Sequence, residues 1–240
     1  MNGTLLVARR ELFAYLRSPL GAVIIAGGLF VDSILFYFQG LTQKLHSGEV
    51  LREFFWNASG PLMAAAVLLS MRLVAEERQT GTITLLNTSP LRDRQIILGK
   101  FLSAFGVITV MTLLTLYMPL WILVRGKVSV GQILIGYAGM LLLGGASVSV
   151  GLFASSLARS QVVAAIIGAV IMAPLLMLWM LAQAVDPPLN SFLSALALHH
   201  ENYRPFMVGI LDLGSVAYYL AVTYFFLLAA TKSLEARRWR

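Results

Sequence analysis

The segment EERQTGTITLLNTSPLRDR, residues 76–94, is a polar stretch between two long apolar runs at about 55–75 and 101–124. About 20 helical residues, rising 1.5 Å each, cross a bilayer core of roughly 30 Å. Both runs meet this length. The pattern therefore predicts two membrane-spanning helices joined by a polar connection.

The composition of the whole chain also favours a membrane protein. Of its 240 residues, 58% are hydrophobic and 12% charged, and the mean hydropathy is +0.81; soluble domains carry about a quarter charged residues. Cysteine is absent, which excludes disulfides, thiolate metal sites and a cysteine nucleophile. We predict an all-α membrane protein, a single domain over residues 1–240. Its six spans are expected at approximately 20–40, 55–75, 101–124, 132–157, 161–184 and 212–231.

Basic residues indicate which way the chain crosses the membrane. With six spans both termini lie on one side, and thirteen of the 18 Lys and Arg residues fall on that side. The other side has Lys44, Arg52, Arg125, Lys127 and Arg204. The positive-inside rule therefore predicts that both termini and residues 76–94 are cytoplasmic. No nucleic-acid partner is expected, because these charges sit at membrane borders and do not cluster on one soluble face.

Residues 4–18, ahead of the first span, are predicted to form an amphipathic helix along the inner leaflet. Its apolar stripe consists of Leu5, Ala8, Leu12, Tyr15 and Leu16. Arg10, Glu11 and Arg17 are expected to point away from that stripe. Ser18-Pro19 ends the helix, because proline disfavours the helical conformation of the residue before it. Two roles of this helix fit the pattern equally well: it only sets the orientation of the first span, or it acts as a mechanical lever.

The connection at 76–98 is predicted to hold two short cytoplasmic helices. Ser89 before Pro90 is a helix-start signal, with Ser89 as N-cap and Pro90 at the first helical position. The first helix would expose Ile83, Leu85 and Leu86 between threonines. Exposed apolar surface rimmed by charge needs a protein partner or a membrane surface to cover it. A solvated loop lying on the headgroups fits the same residues equally well.

Motifs in this connection resemble those of a known family. Glu76-Glu77-Arg78-x-x-Gly81-Thr82 is followed by Thr88-Ser89-Pro90 and then by Ile97-Leu98-Gly99-Lys100-Phe101. The pattern is similar to that of the permease subunits of type-2 ABC exporters, especially their gliding-motility-like branch. Residues 8–19, 151–165 and 234–240 resemble, in the same order, the family's connecting helix, its turn between spans four and five, and its C-terminus.

The resemblance implies that residues 76–94 form a coupling region that sits in a groove on a separate cytoplasmic ATPase. The coupling residues would be Glu76, Glu77, Arg78, Gly81, Thr82, Ile83, Leu85, Leu86, Ser89 and Pro90. The family often has an acidic residue where this chain has Thr84, so an ion pair to the ATPase at that position stays open. As an alternative, Glu76, Glu77 and Arg78 would stabilise the end of the second span among themselves.

No Gly-x-x-x-x-Gly-Lys-Ser/Thr motif occurs in the chain, so it has no phosphate-binding loop of its own. The resemblance therefore implies that ATP and magnesium bind to a partner ATPase dimer, and that this chain has no catalytic, cofactor or metal site. It also implies a second permease chain, identical or different, and an export function. The expected location is the plasma membrane of a bacterium or archaeon, with membrane lipid around the spans.

Asp32 is the one ionisable side chain well inside a predicted span, where a charge costs ~2.5–3.5 kcal/mol at the helix centre. It should therefore face protein or water. Together with Tyr37 and Gln39 it is a candidate for the translocation path. A packed or protonated Asp32 is the alternative.

Residues 185–211 are too few for two spans and too apolar for a free loop, and the resemblance implies short re-entrant helices on the outer side. His199, His200, Glu201 and Tyr203 in this segment are candidates for an outer gate. A metal site is not expected, because adjacent histidines on a helix point about 100° apart and no third ligand has fitting spacing.

Two other classes of membrane protein fit less well. An intramembrane hydrolase needs a nucleophile and a base at similar depth, but His46, His199 and His200 all fall in predicted outer loops. An ion-coupled secondary transporter usually shows repeated halves and several buried ionisable groups, whereas the spans of this chain offer Asp32 alone.

Overall fold

The computed structural model describes residues 3–41, 46–82, 92–126 and 128–238, and within these ranges the regular structure is helical throughout. A π-helical turn, Phe36–Leu41, continues the second helix. The helices are α1 (Gly3–Arg17), α2 (Pro19–Leu35), α3 (Ser47–Ser70), α4 (Ala75–Gln79), α5 (Asp93–Leu114), α6 (Tyr117–Arg125), α7 (Val130–Leu157), α8 (Gln161–Gln183), α9 (Leu189–Leu196), α10 (His200–Met207) and α11 (Leu213–Arg238).

Six helical stretches have the length and apolar composition to cross a membrane, which confirms the predicted all-α protein with six spans. They are Pro19–Phe38, Ser47–Gln79, Asp93–Val124, Val130–Leu157, Gln161–Gln183 and Leu213–Ala236. The second and third begin before residues 55 and 101, because polar helical turns extend both apolar runs. Residues 93–98, predicted as part of a second short helix, are therefore the first turns of α5.

The centre of the bundle is α7, which contacts α3, α5, α8 and α11. Of its most apolar stretch 72% is buried, against 17% for those of α2, α8 and α11. Glycines let neighbouring helices approach α7 closely. A Cβ on Gly151 would lie 2.5 Å from Ser70 Cβ, and one on Gly136 would overlap the Phe55 ring. Glycines in α7 thus allow the two spans at the core, α3 and α7, to pack closely against each other.

Helix ends follow local sequence signals. The Ser18 and Ser129 hydroxyls accept hydrogen bonds from the backbone N–H groups of Gly21 and Gln132, which caps α2 and α7. Ser18 and Pro19 separate α1 from α2, as predicted. The third span is interrupted between α5 and α6, where Pro119 has no N–H to donate to the carbonyl four residues before it.

The orientation of α1 differs from the prediction. Val7 and Tyr15 are buried, whereas Leu5 and Leu16 of the predicted apolar stripe are 58% and 45% exposed. Glu11 does not point away from the packed side, because its carboxylate lies 3.6 Å from the Lys100 ammonium of α5. The packed face of α1 is therefore rotated towards Glu11.

Two short helices, α9 and α10, connect α8 to α11, as predicted for residues 185–211. The turn between them folds back into the bundle: the Leu198 N–H donates to the Leu175 carbonyl at 2.9 Å, two helical turns before α8 ends. The Tyr219 hydroxyl donates to the Leu198 carbonyl, also at 2.9 Å. Both backbone polar groups of the buried residue Leu198 are thus satisfied, as non-helical backbone away from water requires.

Candidate functional site

The predicted coupling residues begin on α4, the short helix that follows α3. Glu76, Glu77 and Arg78 lie on α4, and Gly81 and Thr82 end the described stretch after it. Gly81 has a φ of +74°, a conformation that favours glycine. The other predicted coupling residues, and Thr84, lie outside the described residues: Ile83, Leu85, Leu86, Ser89 and Pro90.

Three helices meet at Lys100 of α5. Its ammonium lies 2.7 Å from Glu77 Oε1 of α4 and 3.6 Å from Glu11 Oε1 of α1, and the Lys100 side chain is 1% exposed. Arg10 Nη2 contacts Glu11 Oε1 at 2.7 Å and Glu77 Oε1 at 4.0 Å. Two cations therefore balance two carboxylates, which a buried charge cluster needs to be stable.

The Glu11 carboxyl is held in its ionised form by its neighbours. Burial raises its pKa, but the Lys100 ammonium and the Arg10 guanidinium together lower it by more, so the pKa of Glu11 lies below its usual value. Glu11 is therefore charged at neutral pH and keeps its attraction to Lys100.

A second ion pair ties the end of α3 to α4 and α1. Arg72 binds Glu76 through two hydrogen bonds, Nε to Oε2 at 2.7 Å and Nη2 to Oε1 at 2.9 Å. Such two-point pairs fix geometry as well as charge. The Arg72 guanidinium carbon also lies 5.8 Å from the centre of the Tyr15 ring, and the Tyr15 hydroxyl donates to the Leu69 carbonyl at 2.9 Å. We call Arg10, Glu11, Arg72, Glu76, Glu77 and Lys100 the charged junction.

The turn between α3 and α4 is fastened to the turn between α7 and α8. Ser155 Oγ accepts hydrogen bonds from the N–H groups of Val74 and Ala75 and donates to the Met71 carbonyl, each at 3.0 Å. Arg78 Nη1 donates to the Ala158 carbonyl at 2.9 Å. The side chains of Glu76, Glu77 and Arg78 thus contact Arg72, Lys100 and Ala158, and these contacts stabilise the end of the second span.

A groove of ≈ 510 Å³ opens beside the charged junction, between α1 on one side and α3 and α4 on the other. Its walls combine apolar side chains such as Leu6 and Leu73 with all six residues of the junction, and its rim includes Thr80 and Thr82. The groove therefore borders the point where the predicted coupling segment leaves α4.

The sequence profile of the ABC-2 family transporter protein domain matches residues 20–231. The chain belongs to the ABC-2 transporter family. Comparison with curated protein sequences finds no significant match. The match covers all six spans, the charged residues of α4 and α5, and the segment with α9 and α10, so the protein is a membrane permease of the ABC transporter class.

Sequence reasoning missed several residues of the permease's charged junction. Lys100 entered as a basic residue and as part of the Ile97–Phe101 motif, Arg72 was counted only among the thirteen basic residues on one side, and Glu11 was expected to point away from the apolar stripe of its helix. A usable signal was present: Lys100 follows a stretch of apolar residues at the start of a span, and a lysine in that position needs a carboxylate partner.

Two of the predicted path residues, Asp32 and Tyr37, differ in their exposure to the surface of the permease. Asp32 is 3% exposed, and its Oδ1 atom has no hydrogen-bond partner in the part of the chain that the structure describes. Tyr37 is 57% exposed. The side chain of Gln39 lies outside the described residues. Asp32 therefore packs against its own chain, whereas Tyr37 lies on the surface.

The predicted gate residues pack between α3 and α8. His199 Nε2 and Ser59 Oγ share a hydrogen bond of 2.7 Å, and the buried Tyr203 hydroxyl donates to the Phe55 carbonyl at 3.2 Å. The His200 ring stacks on Trp179, with ring centres 4.4 Å apart. Glu201 is exposed. We call His199, His200, Tyr203, Ser59, Trp56 and Trp179 the histidine cluster.

Burial governs the chemistry of the histidine cluster. Desolvation lowers the pKa of His199 to about 4, with a smaller contribution from neighbouring His200. His199 is therefore neutral at pH 7 and suited to its hydrogen bond with Ser59. Among the described residues, no group of three His, Cys, Asp or Glu side chains is placed to hold a metal ion.

Proposed function

We propose that this permease couples to a separate ATPase dimer through residues 76–94, and that the charged junction is the rigid base of that coupling region. In this proposal both termini and residues 76–94 face the cytoplasm, in the plasma membrane of a bacterium or archaeon. A second permease chain, identical or different, completes the translocation path, and substrate moves outward. Magnesium and ATP bind to the partner, since this chain has no phosphate-binding loop.

One observation carries the proposal: the contact of Lys100 with Glu77 and Glu11 joins α5, α4 and α1 beside the predicted coupling segment. A push on residues 83–91 reaches α4 at one end and α5 at the other. Because α4 is also fixed to α3 through Arg72 and to the last turn of α7 through Ser155, the push would move several spans together. A loop without these contacts would absorb the displacement.

The contacts of the histidine cluster, at the predicted outer end of the protein, support a role in gating. The histidine cluster holds α10 against α3 and α8 through the contacts of His199, Tyr203 and His200. Release of these contacts would free α10 from α3 and α8. In the proposal His199, His200, Glu201 and Tyr203 close the outer end, while Asp32, Tyr37 and Gln39 line the path; the exposed Tyr37 would reach it at the seam with the second chain.

The orientation can be tested directly, because the chain contains no cysteine. In Thr82→Cys the single thiol marks the coupling region, and in Gly131→Cys it marks the opposite end, where an added Cβ meets open space. A membrane-impermeant maleimide applied to intact cells should label Gly131→Cys and label Thr82→Cys only after the cells are opened. Labelling of Thr82→Cys in intact cells would refute the proposal.

The coupling can be tested with the ATPase that co-purifies with the tagged permease. Ile83→Pro and Leu86→Asp should reduce the amount of bound ATPase by tenfold or more, on the order of 1.4 kcal/mol of binding free energy or above. Arg52→Glu, at the opposite end of the molecule, is the control and should leave ATPase recovery unchanged. ATP-dependent transport by this chain reconstituted alone would contradict the proposed division of labour.

A further inference from the structure

One face of α1 is turned away from the rest of the chain and exposes four large apolar side chains. Leu5 is 58%, Leu6 52%, Phe13 46% and Leu16 45% exposed. The opposite face, with Val7 and Tyr15, is buried against the bundle. Both faces of α1 thus carry large apolar side chains, but only one of them is covered by protein of this chain.

Two arginines lie on the uncovered face, on either side of Phe13. The guanidinium carbons of Arg9 and Arg17 lie 5.8 Å and 5.9 Å from the centre of the Phe13 ring. Neither guanidinium has a carboxylate within 4.0 Å among the described residues, unlike Arg10, which pairs with Glu11. A contact with a ring face leaves the N–H donors of a guanidinium available. The uncovered face therefore carries two positive charges that have no carboxylate partner in the described part of the chain.

This face continues into a surface that is suited to lipid. Only Ser18 separates α1 from α2, and the first span exposes Val23 at 68% and Phe30 at 66%. The exposed Leu16 precedes that span directly. An amphipathic helix joined in this way to a span is placed at the border between hydrocarbon and headgroups. The continuity favours the bilayer, rather than a soluble protein, as the cover of this face.

We propose that the face of α1 with Arg9, Phe13 and Arg17 binds the headgroups of anionic phospholipids in the adjoining leaflet. Guanidinium donors match phosphate oxygens in a two-point geometry, while Leu5, Phe13 and Leu16 contact the upper acyl chains. Net anionic headgroups are preferred over zwitterionic ones, because the latter carry a compensating cation beside the phosphate. This site does not depend on the proposed ATPase or on the direction of transport.

The test measures lipid retention by the purified full-length permease in detergent. Phosphatidylglycerol and phosphatidylcholine with the same acyl chains are added in equal amounts, and native mass spectrometry counts the molecules of each that remain bound. The double variant Arg9→Gln/Arg17→Gln should lower the preference for phosphatidylglycerol by on the order of 30-fold. Retention of phosphatidylcholine should not change.

A control variant makes the same change in net charge elsewhere. Arg52→Gln/Arg159→Gln removes two other exposed arginines and should retain phosphatidylglycerol like the parent protein. Because Arg9 and Arg17 are exposed, their replacement should leave the unfolding temperature unchanged, which verifies that the double variant is folded. Equal lipid preference in both double variants would overturn the proposal. It would also be wrong if Arg9→Gln/Arg17→Gln kept its phosphatidylglycerol but lost a co-purifying protein, since the face would then bind a protein.

Discussion

Lys100 Nζ lies 2.7 Å from Glu77 Oε1, and one ammonium serves carboxylates from two other helices because Glu11 Oε1 is 3.6 Å from the same atom. Formation of this ion pair adds much less stability than the loss of one of its partners removes. A buried ion pair adds little when compared with a well-packed apolar pair, but removal of one partner leaves the other charge uncompensated. The cation at the centre is therefore the residue whose loss should matter most.

Lys100→Met should destabilise the permease by about 3 kcal/mol, because Glu77 and Glu11 lose their shared cation in a poorly hydrated site. Methionine keeps the flexible stem and much of the volume. Unfolding of the purified protein by a graded series of denaturing detergent measures the loss. The double variant Lys100→Met/Glu77→Gln should regain part of it, since the strongest unpaired charge is then gone. Equal stability of Lys100→Met and the parent would show that the ion pair does not hold these helices.

The spans could be predicted from the sequence because each is an apolar run of sufficient length, and membrane helices must satisfy their backbone internally. Such features depend on neighbours along the chain and need no knowledge of packing. Local rules were less decisive for interruptions, since Pro119 accompanies the break after Leu114 whereas Pro61 and Pro174 lie inside the continuous helices α3 and α8.

The face that α1 packs inward could not be predicted in the same way. In a soluble protein the apolar face of a helix is the buried face, but α1 has Leu5 and Leu16 on its exposed face and Val7 and Tyr15 on its buried face. Hydrophobicity cannot distinguish a face that meets lipid from one that meets protein. The partner of Glu77 was hidden for a related reason: Lys100 is on a different helix, and only the approach of α4 to α5 brings the charges together.

Ser155→Ala should cost about 1–3 kcal/mol, because the buried N–H groups of Val74 and Ala75 and the Met71 carbonyl lose their shared partner. Ser147→Ala is the matched control on the same helix. Its hydroxyl is also buried but bonds only to the Leu143 carbonyl one turn before it, which keeps its helical bond, so the change should be nearly neutral. Unfolding midpoints of the two variants check the difference. A Ser155→Ala midpoint within error of Ser147→Ala would mean that the two turns are held together by packing alone.

Acid should weaken the charged junction through Glu11. Its pKa is depressed in the folded protein, so its contribution to stability is fully present above its usual value near 4.5 and is lost as the pH falls through the lower, folded-state pKa. As the pH falls below about 4.5 the parent should therefore lose more stability than Glu11→Gln, which has no carboxyl at this position. Thermal unfolding at a series of pH values measures both profiles. Parallel profiles would contradict the assignment of Glu11 as an ionised partner of Lys100.

His199 should make the stability of the folded protein depend on pH in a less acidic range than Glu11 does. Its pKa is lowered by burial from 6.5 to about 4, so the unfolded chain takes up a proton at a higher pH than the folded chain. Stability is therefore fully present above pH 6.5 and falls as the pH decreases towards 4, with a loss of about 2 kcal/mol at pH 5. Protonation would place a positive charge in this desolvated site beside His200.

The variant that checks this prediction is His199→Asn, which removes the titrating ring but keeps a polar side chain beside Ser59. Its stability at neutral pH should be lower than the parent's, because the ring contacts with Trp56 and Tyr203 are lost, but it should change less between pH 7 and pH 5. His46→Asn is the control, since the His46 side chain is 95% exposed. If His199→Asn and the parent lost equal stability over this range, the acid sensitivity would arise elsewhere and His199 would not be the neutral, buried partner of Ser59.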